Sequence, residues 1–446
     1  MKTARLYKNR IIIPSDETMT PQFLSEIINL HKTTLQPKYE RLRKMYEGHY
    51  EILDKKPKAE HKPDNRLVAN FAKYLTDIFN GYFLGIPVKI QHEDDAVNEY
   101  LNLVGIYNNI DDENAEISKQ CDICGVGVEL LYMDEDANVG LTHTDPEESF
   151  VVYDDSILHR PLYGIRYYKN AEGKLEGSLS DSHSVYHFNE LYQFTDETPH
   201  IFGNVPIIEY SENEERIGLY ETVETLINAF NEALSEKAND VEYFADAYLL
   251  VLGKLLDPKA LQELRDKRII NMAGNNIDKL DVRFLEKPNG DETQEHLLDR
   301  LMKLIFRLSM VCDISDEEFG NASGESLAYK LLQMDNLANV KERKFTAGLQ
   351  KRYKLIAHTP LPNMADDDWM KISYTFTRNL PKNVKEEAET ARALQGITSR
   401  ETQLALLSVV KDPKAEIEKI EEEDGLNDYY YSEERAPIGG DEYAGV

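Results

Sequence analysis

The sequence predicts an α+β fold organised around long helices, and three observations carry that prediction. From Ile217 to Tyr353, apolar residues recur at helical spacing through three long segments. From Gly127 to Phe188 the period changes to two, in short runs separated by turn signals such as Asp134 to Asn138 and Asn170 to Gly173. Between the first two long helices lies an insertion that again reads as strands. Helices of this length need a partner surface, because packing rather than propensity supplies most helical stability.

In chain order, residues 1–18 read as irregular. Thr20-Pro21 opens a helix with a cap and a proline in the first turn, and Pro37 reads as a kink or break in it. Asn65 to Gly81 reads as a second helix, followed by a strand at Val88–Gln91. Asp94–Val104 and Asn108–Cys121 are further helices. Strands are predicted at Val128–Met133, Val139–Thr142, Phe150–Tyr153, Tyr163–Tyr168 and Ser184–Phe188, forming an antiparallel sheet. Ser211 to Arg216 is a polar hinge. The first long helix carries Leu219, Val223, Leu226, Ile227, Phe230, Leu234, Ala238 and Val241. Leu249–Leu252 and Val282–Leu285 are strand-like, with a small helix from Asp257-Pro258 to about Arg268 and a strand at Ile269–Met272 between them. The second long helix shows Leu297, Leu301, Leu304, Ile305 and Leu308 as its apolar face. The third begins near Glu325. Lys371–Thr377 alternates as a half-buried strand with Ile372, Tyr374 and Phe376 inward. Helices then start near Asn383, Ser399 and Asp412-Pro413, and 426–446 reads as a disordered acidic tail.

At 446 residues the chain exceeds a single core. Its net charge of −30 argues against a sequence-general DNA binder, which needs a basic face. Residues 1–91 hold 16 Lys and Arg against 10 Asp and Glu, so the remaining 355 residues carry a net −36. A basic N-terminal segment on an acidic body offers head-to-tail pairing between copies, or simply a solvated surface. Three cysteines, Cys121, Cys124 and Cys312, suit a reducing compartment without a disulfide framework. No apolar run is long enough for a membrane span or a signal peptide, so no membrane is expected and the product is expected to be cytoplasmic where it is made.

Three stretches together resemble the portal proteins of tailed bacteriophages, in the subgroup from long-tailed phages of Gram-positive hosts. They are Asn65 to Pro87, Tyr243 to Gly253, and the acidic loop Asp313-Ile-Ser-Asp-Glu-Glu-Phe-Gly-Asn-Ala-Ser-Gly324 ahead of a long helix. The resemblance implies a ring of about twelve copies at one capsid vertex, the channel for packaging and ejection of double-stranded DNA. It implies a wing (1–216), stem helices (217–248 and 291–312), a clip (249–290), a tunnel loop (313–324), a long wing helix with its returning strand (325–380) and a helical crown (381–425). The implied partners are the large terminase subunit, a head-completion or adaptor protein, and the major capsid and scaffolding proteins, with no cofactor. The loop residues Asp313, Ser315, Asp316, Glu317, Glu318, Gly320, Asn321 and Gly324 would face the DNA, their carboxylates repelling phosphates and their glycines letting the backbone shift. Arg300, Lys303 and Arg307, at i, i+3 and i+7 on the second long helix, read either as a solvated face paired with Glu292, Glu295 and Asp299, or as a sparse basic stripe facing the channel. Sparse contacts suit sliding, because neutralising many phosphates binds tightly.

Catalytic signatures are missing from the sequence. Neither Gly173-Lys174 nor Gly253-Lys254 is followed by the Ser or Thr of a phosphate loop, and no HExxH or GxSxG occurs. Gly125-Val-Gly127 reads as a helix-to-strand turn. Cys121 and Cys124 lack the second half of a zinc site and read as buried, inert thiols. Asp366-Asp367-Asp368 reads as a solvated loop rather than a metal cluster. Two rival readings stand beside the portal: an adaptor or other virion protein without a channel, and a metal-dependent DNA-processing enzyme using Asp366 to Asp368.

Overall fold

A computed structural model describes residues 4–59, 62–245, 249–252, 281–284, 291–314, 324–360, 364–379, 384–407, 409–410 and 413–422. The predicted helix and strand at 257–272, the predicted tail at 426–446 and most of the acidic loop lie outside these residues. The chain divides into two units, Met1–Asn379 and Leu380–Val446.

The first unit opens with two strands, β1 (Arg5–Tyr7) and β2 (Arg10–Ile13), where irregular chain was expected. Ile11, Ile12 and Ile13 pair in parallel with β6 (Ser149–Asp154), so the run of isoleucines is buried by a strand distant in sequence. That single parallel pair makes the seven-stranded sheet mixed rather than purely antiparallel. Its order is β1-β2-β6-β7-β8-β9-β10, with β7 at Pro161–Lys169, β8 at Leu175–Ser180, β9 at Ser184–Phe188 and β10 at Phe194–Pro199. A second sheet, β11-β4-β5, uses Ile207–Ser211, Val126–Met133 and Val139–Thr144. A small dry layer of Ile12, Val128, Val151, Tyr153, Val205 and Ile207 is buried apart from the main core.

Helices build the main core. α1 (Pro21–Tyr46) starts at Thr20, whose side chain accepts from the Phe23 amide, and it runs straight through Pro37. The expected break does not occur: Pro37 and Thr33 are exposed, so the Thr33 carbonyl that loses its donor is open to water, while Leu35, Tyr39 and Leu42 hold the buried face. α2 begins at Phe71, six residues later than predicted, and ends at Leu84, three later, with Asn70 as its cap. α3 (Asp95–Tyr107) and α4 (Ile110–Cys124) follow β3 (Lys89–Gln91). α4 stops at Gly125, which sits at φ +81; a Cβ there would lie 2.4 Å from the Arg216 carbonyl oxygen. The predicted turn at this glycine is thus a close approach of two backbones.

α5 (Glu224–Ala245), α6 (Asp291–Ser309) and α7 (Gly324–His358) are the three long helices. Between α5 and α6, β12 (Leu249–Leu252) pairs antiparallel with β13 (Asp281–Phe284). β14 (Ser373–Thr375) returns to pair with β3.

α7 is the spine of the unit. Its buried seam runs through Leu331, Met334, Ala338, Lys341, Phe345, Leu349, Arg352 and Ile356, and two of those positions are cations. Lys341 Nζ lies 2.6 Å from Asp122 Oδ1 and 3.2 Å from Glu212 Oε2, and it donates to the Ser118 carbonyl. Arg352 grips Glu129 with Nη2 to Oε1 at 2.7 Å and Nε to Oε2 at 2.9 Å, and Tyr210 donates to the same carboxylate. The segment Ser211 to Arg216, expected as a solvated hinge, is instead bound down: Glu212 and Arg216 are buried, Arg216 pairs with Glu209, and Glu214 meets Arg10 and Lys344.

In the second unit, α8 (Val384–Ala393) and α9 (Arg400–Ala405) precede a helical stretch at 413–422. Ser399 caps α9 by accepting from the Thr402 amide, as its position predicts.

Candidate nucleic-acid interface

α5 and α6 form an antiparallel hairpin. Asp240 accepts from Gln294, Lys237 pairs with Glu295, and Phe71 packs edge-on against both Phe230 and Phe306. α6 is 19 residues long, about 28 Å.

Arg300, Lys303 and Arg307 are exposed and share one face of α6. At about 100° per residue they fall within roughly 60° of one another. None pairs with another described residue. Their expected partners are otherwise engaged: Glu295 holds Lys237, and Glu292 lies 3.8 Å from His296. The predicted apolar face is corrected by about a sixth of a turn. The buried seam is Leu298, Leu301, Ile305 and Ser309, roughly opposite the basic stripe, while Leu297 and Leu308 are 49% and 55% exposed. Two leucine stripes exist on α6, and α5 with α2 covers only one.

Of the acidic loop, Asp313 is described and half-buried just past α6, and Gly324 begins α7. Ser315, Asp316, Glu317, Glu318, Gly320 and Asn321 lie outside the described residues.

A polar ladder on α5 escaped the sequence reading. Asn231, Ser235 and Asn239 form its buried face with Ile227. They accept from the backbone amides of Ala69 (2.8 Å), Leu67 (2.9 Å) and Asn65 (2.6 Å). Four helical residues advance about 6.0 Å and two extended residues about 6.6 Å, so the two repeats nearly match. Their amides taken by these side chains, residues 65–69 lie along α5 instead of starting α2. Lys55 to Glu232 and Lys58 to Glu236 run beside the ladder. Three small polar residues at four-residue spacing, in line with Ile227, were the available signal.

The alternative chemistry does not assemble. Asp366 contacts His358, while Asp368 turns inward to the Ala365 amide and Lys371; Asp367 stays exposed. Among the described residues no group of three or more His, Cys, Asp or Glu could hold a metal ion. Cys121 and Cys124 are fully buried at the end of α4, and burial pushes both thiols up, Cys124 to about 12. A cleft of about 330 Å³ beside α4 is lined by Arg43, Lys119, His143 and Arg166; Arg43 pairs with Asp145 and Glu147, Lys119 with Glu116, and His143 contacts Glu113. No helix among the described residues is long and apolar enough to cross a membrane.

The fold and this face define a mixed helix-and-sheet subunit built on a long hairpin, with an exposed basic stripe. The chain belongs to the phage portal proteins of the SPP1 Gp6-like family, whose family model matches residues 25–428. It is 26% identical over 400 residues to the portal protein of Bacillus phage SPP1, covering 82% of this chain and 77% of that one. It is 23% identical over 365 residues to the portal protein of Clostridium phage phiCD119, covering 75% and 79%. Among solved structures, a chain from the neck of an empty GTA particle computed with C6 symmetry matches with a TM-score of 0.45 at 12% identity, over 75% of this chain and 89% of that one. Both named phage relatives come from Gram-positive hosts, as the resemblance implied. The chain is therefore a portal protein, a component of the virion.

Proposed function

We propose that this portal protein closes into a ring of about twelve copies whose bore carries double-stranded DNA during packaging and ejection. The observation that carries the reading is a family match running through both units, including the α5–α6 hairpin. In this arrangement α5 and α6 are the stem, residues 249–290 the clip that receives the large terminase subunit and later a head-completion protein, and the sheet unit the wing. Residues 381–425 are the crown, and the capsid and scaffolding proteins contact the outside. Arg300, Lys303 and Arg307 face the bore as a sparse stripe that touches phosphates without holding them. The loop residues Asp313, Ser315, Asp316, Glu317, Glu318, Gly320, Asn321 and Gly324 project towards the DNA. The exposed Leu297 and Leu308 fit burial between neighbouring copies. The protein acts without catalysis and assembles in the host cytoplasm.

Negative-stain imaging and mass measurement of the purified protein test the ring. An annulus with a hole as wide as a duplex is expected. A species that stays monomeric or dimeric at high concentration, as a channel-less adaptor would, overturns the proposal.

A further inference from the structure

We propose that the corner where α3 meets α4 docks a basic amphipathic segment of a partner protein, an assignment beyond the channel reading. Leu103, Ile106 and Tyr107 stand at i, i+3 and i+4 on one face of α3 and are 58%, 71% and 54% exposed. Tyr107 donates to Asp134 in the β4–β5 turn, which brings the exposed Tyr132 into the same patch. An apolar helix face left uncovered beside a second exposed aromatic costs hydration free energy unless something binds it.

The rim is acidic. Glu99 lies one turn before Leu103 on the same face, and Glu135 and Asp136 are exposed at the turn. Across residues 90–159 there are 18 Asp and Glu against a single Lys or Arg, Lys119. Lys119 is itself paired with Glu116. Nucleic acid is repelled by such a rim, whereas an apolar strip flanked by Lys or Arg meets it at both levels. In a second copy, Arg10, Lys38, Arg41, Arg43, Lys55 and Lys58 of the basic N-terminal segment all pair internally. The exposed cations and leucines of α6 are those assigned above to the bore and to the contact between copies, so a partner protein is the better source of that strip.

The test uses full-length assembled protein and two synthetic helical peptides of equal length, one of leucine and lysine, one of leucine and glutamate. Binding is followed by fluorescence anisotropy, and its location by amide hydrogen exchange. The lysine peptide is expected to bind and to slow exchange at residues 99–107 and 132–136, and the glutamate peptide is not. Leu103→Ser with Ile106→Ser keeps every charge and, being exposed, leaves the fold intact; it is expected to weaken binding on the order of tenfold. Glu135→Gln with Asp136→Gln is expected to weaken binding and flatten its salt dependence. Unchanged affinity in the serine variant, or protection mapping elsewhere, overturns the proposal. So does a corner already protected in the assembled protein without peptide, because a second copy then covers it.

Discussion

Lys341 and Asp122 meet at 2.6 Å with both side chains wholly buried, and Glu212 completes the group at 3.2 Å from the same ammonium. Two carboxylates thus share one ammonium. Burial pushes the Asp122 carboxyl well up; Lys341 opposes the shift and Glu212 adds to it. For Lys341, burial works against the charge, but Asp122 and Glu212 win and raise its value. Burial and the neighbouring Glu212 thus favour the protonated form of Asp122, and Lys341 the charged one. Lys341→Ala would leave a buried charge uncompensated and is expected to destabilise the subunit by about 3–5 kcal/mol, read by urea denaturation. Asp122→Asn mimics the protonated acid and is expected to cost far less.

The same cluster gives a pH dependence. A carboxyl raised in the folded state contributes stability that is complete below its unfolded value of 3.8 and is lost as pH climbs through the folded value. Lys341 behaves alike, its contribution falling away only above 10.5. Denaturation midpoints measured from pH 4 to 9 should therefore fall less steeply in Asp122→Asn than in the native chain. Parallel curves would refute the raised Asp122 carboxyl.

Glu214 works in the opposite direction. Its hydrogen bond from Lys344, then the charges of Arg10, Lys344 and Lys8, hold the carboxyl down at about 2. Its stabilising effect is present above the unfolded value of 4.5 and disappears as pH falls towards 2. Glu214→Gln should flatten the acid limb of the stability curve between those values. The site is partly exposed, so the effect should shrink in high salt.

Arg352 and Glu129 are joined in the core by a hydrogen bond from Nε to Oε2 and by a close ion contact between Nη2 and Oε1. Arg352→Lys keeps the charge and loses the Nε donor, so a measurable drop in thermal midpoint is expected despite the conservative change. Arg352→Ala should cost about 3–5 kcal/mol.

The α5 ladder makes a local prediction. Ser235→Ala leaves the Leu67 amide without its acceptor and should cost about 1–3 kcal/mol. Hydrogen exchange should accelerate at Leu67 while the amides of Asn65 and Ala69, held by Asn239 and Asn231, stay protected. Uniform acceleration along α5 would mean that the rungs are not independent.

Charge reversal separates channel function from folding. Arg300→Glu, Lys303→Glu and Arg307→Glu change only exposed groups and should move stability by about 0.5 kcal/mol or less each. A DNA-packaging assay should show reduced uptake, and Lys at Asp316, Glu317 and Glu318 should stall it. Normal packaging in both variants would remove these residues from the bore.

Local periodicity carried much of the fold. α3, α4, β9 and α6 lie within a few residues of their sequence-derived bounds, because a repeat of 3.6 or 2 is written into neighbouring residues, whereas α5 starts seven residues later than 217. The basic stripe of α6 was legible for the same reason. Which leucine stripe of that helix is buried was not, because Leu297 and Leu298 differ only in what lies across from them.

Composition, period and motif order alone establish a mixed α+β chain, acidic overall, with three long helices and the marks of a portal subunit. Folding in three dimensions decided that Ile11 to Ile13 form a strand, that residues 65–69 lie along α5, and that Lys341 and Arg352 sit in the core rather than in water. Each of those outcomes depends on a partner remote in the chain: β6, the α5 ladder, and Asp122 or Glu129. A side chain's neighbours across space set its burial, and no window of adjacent residues contains them.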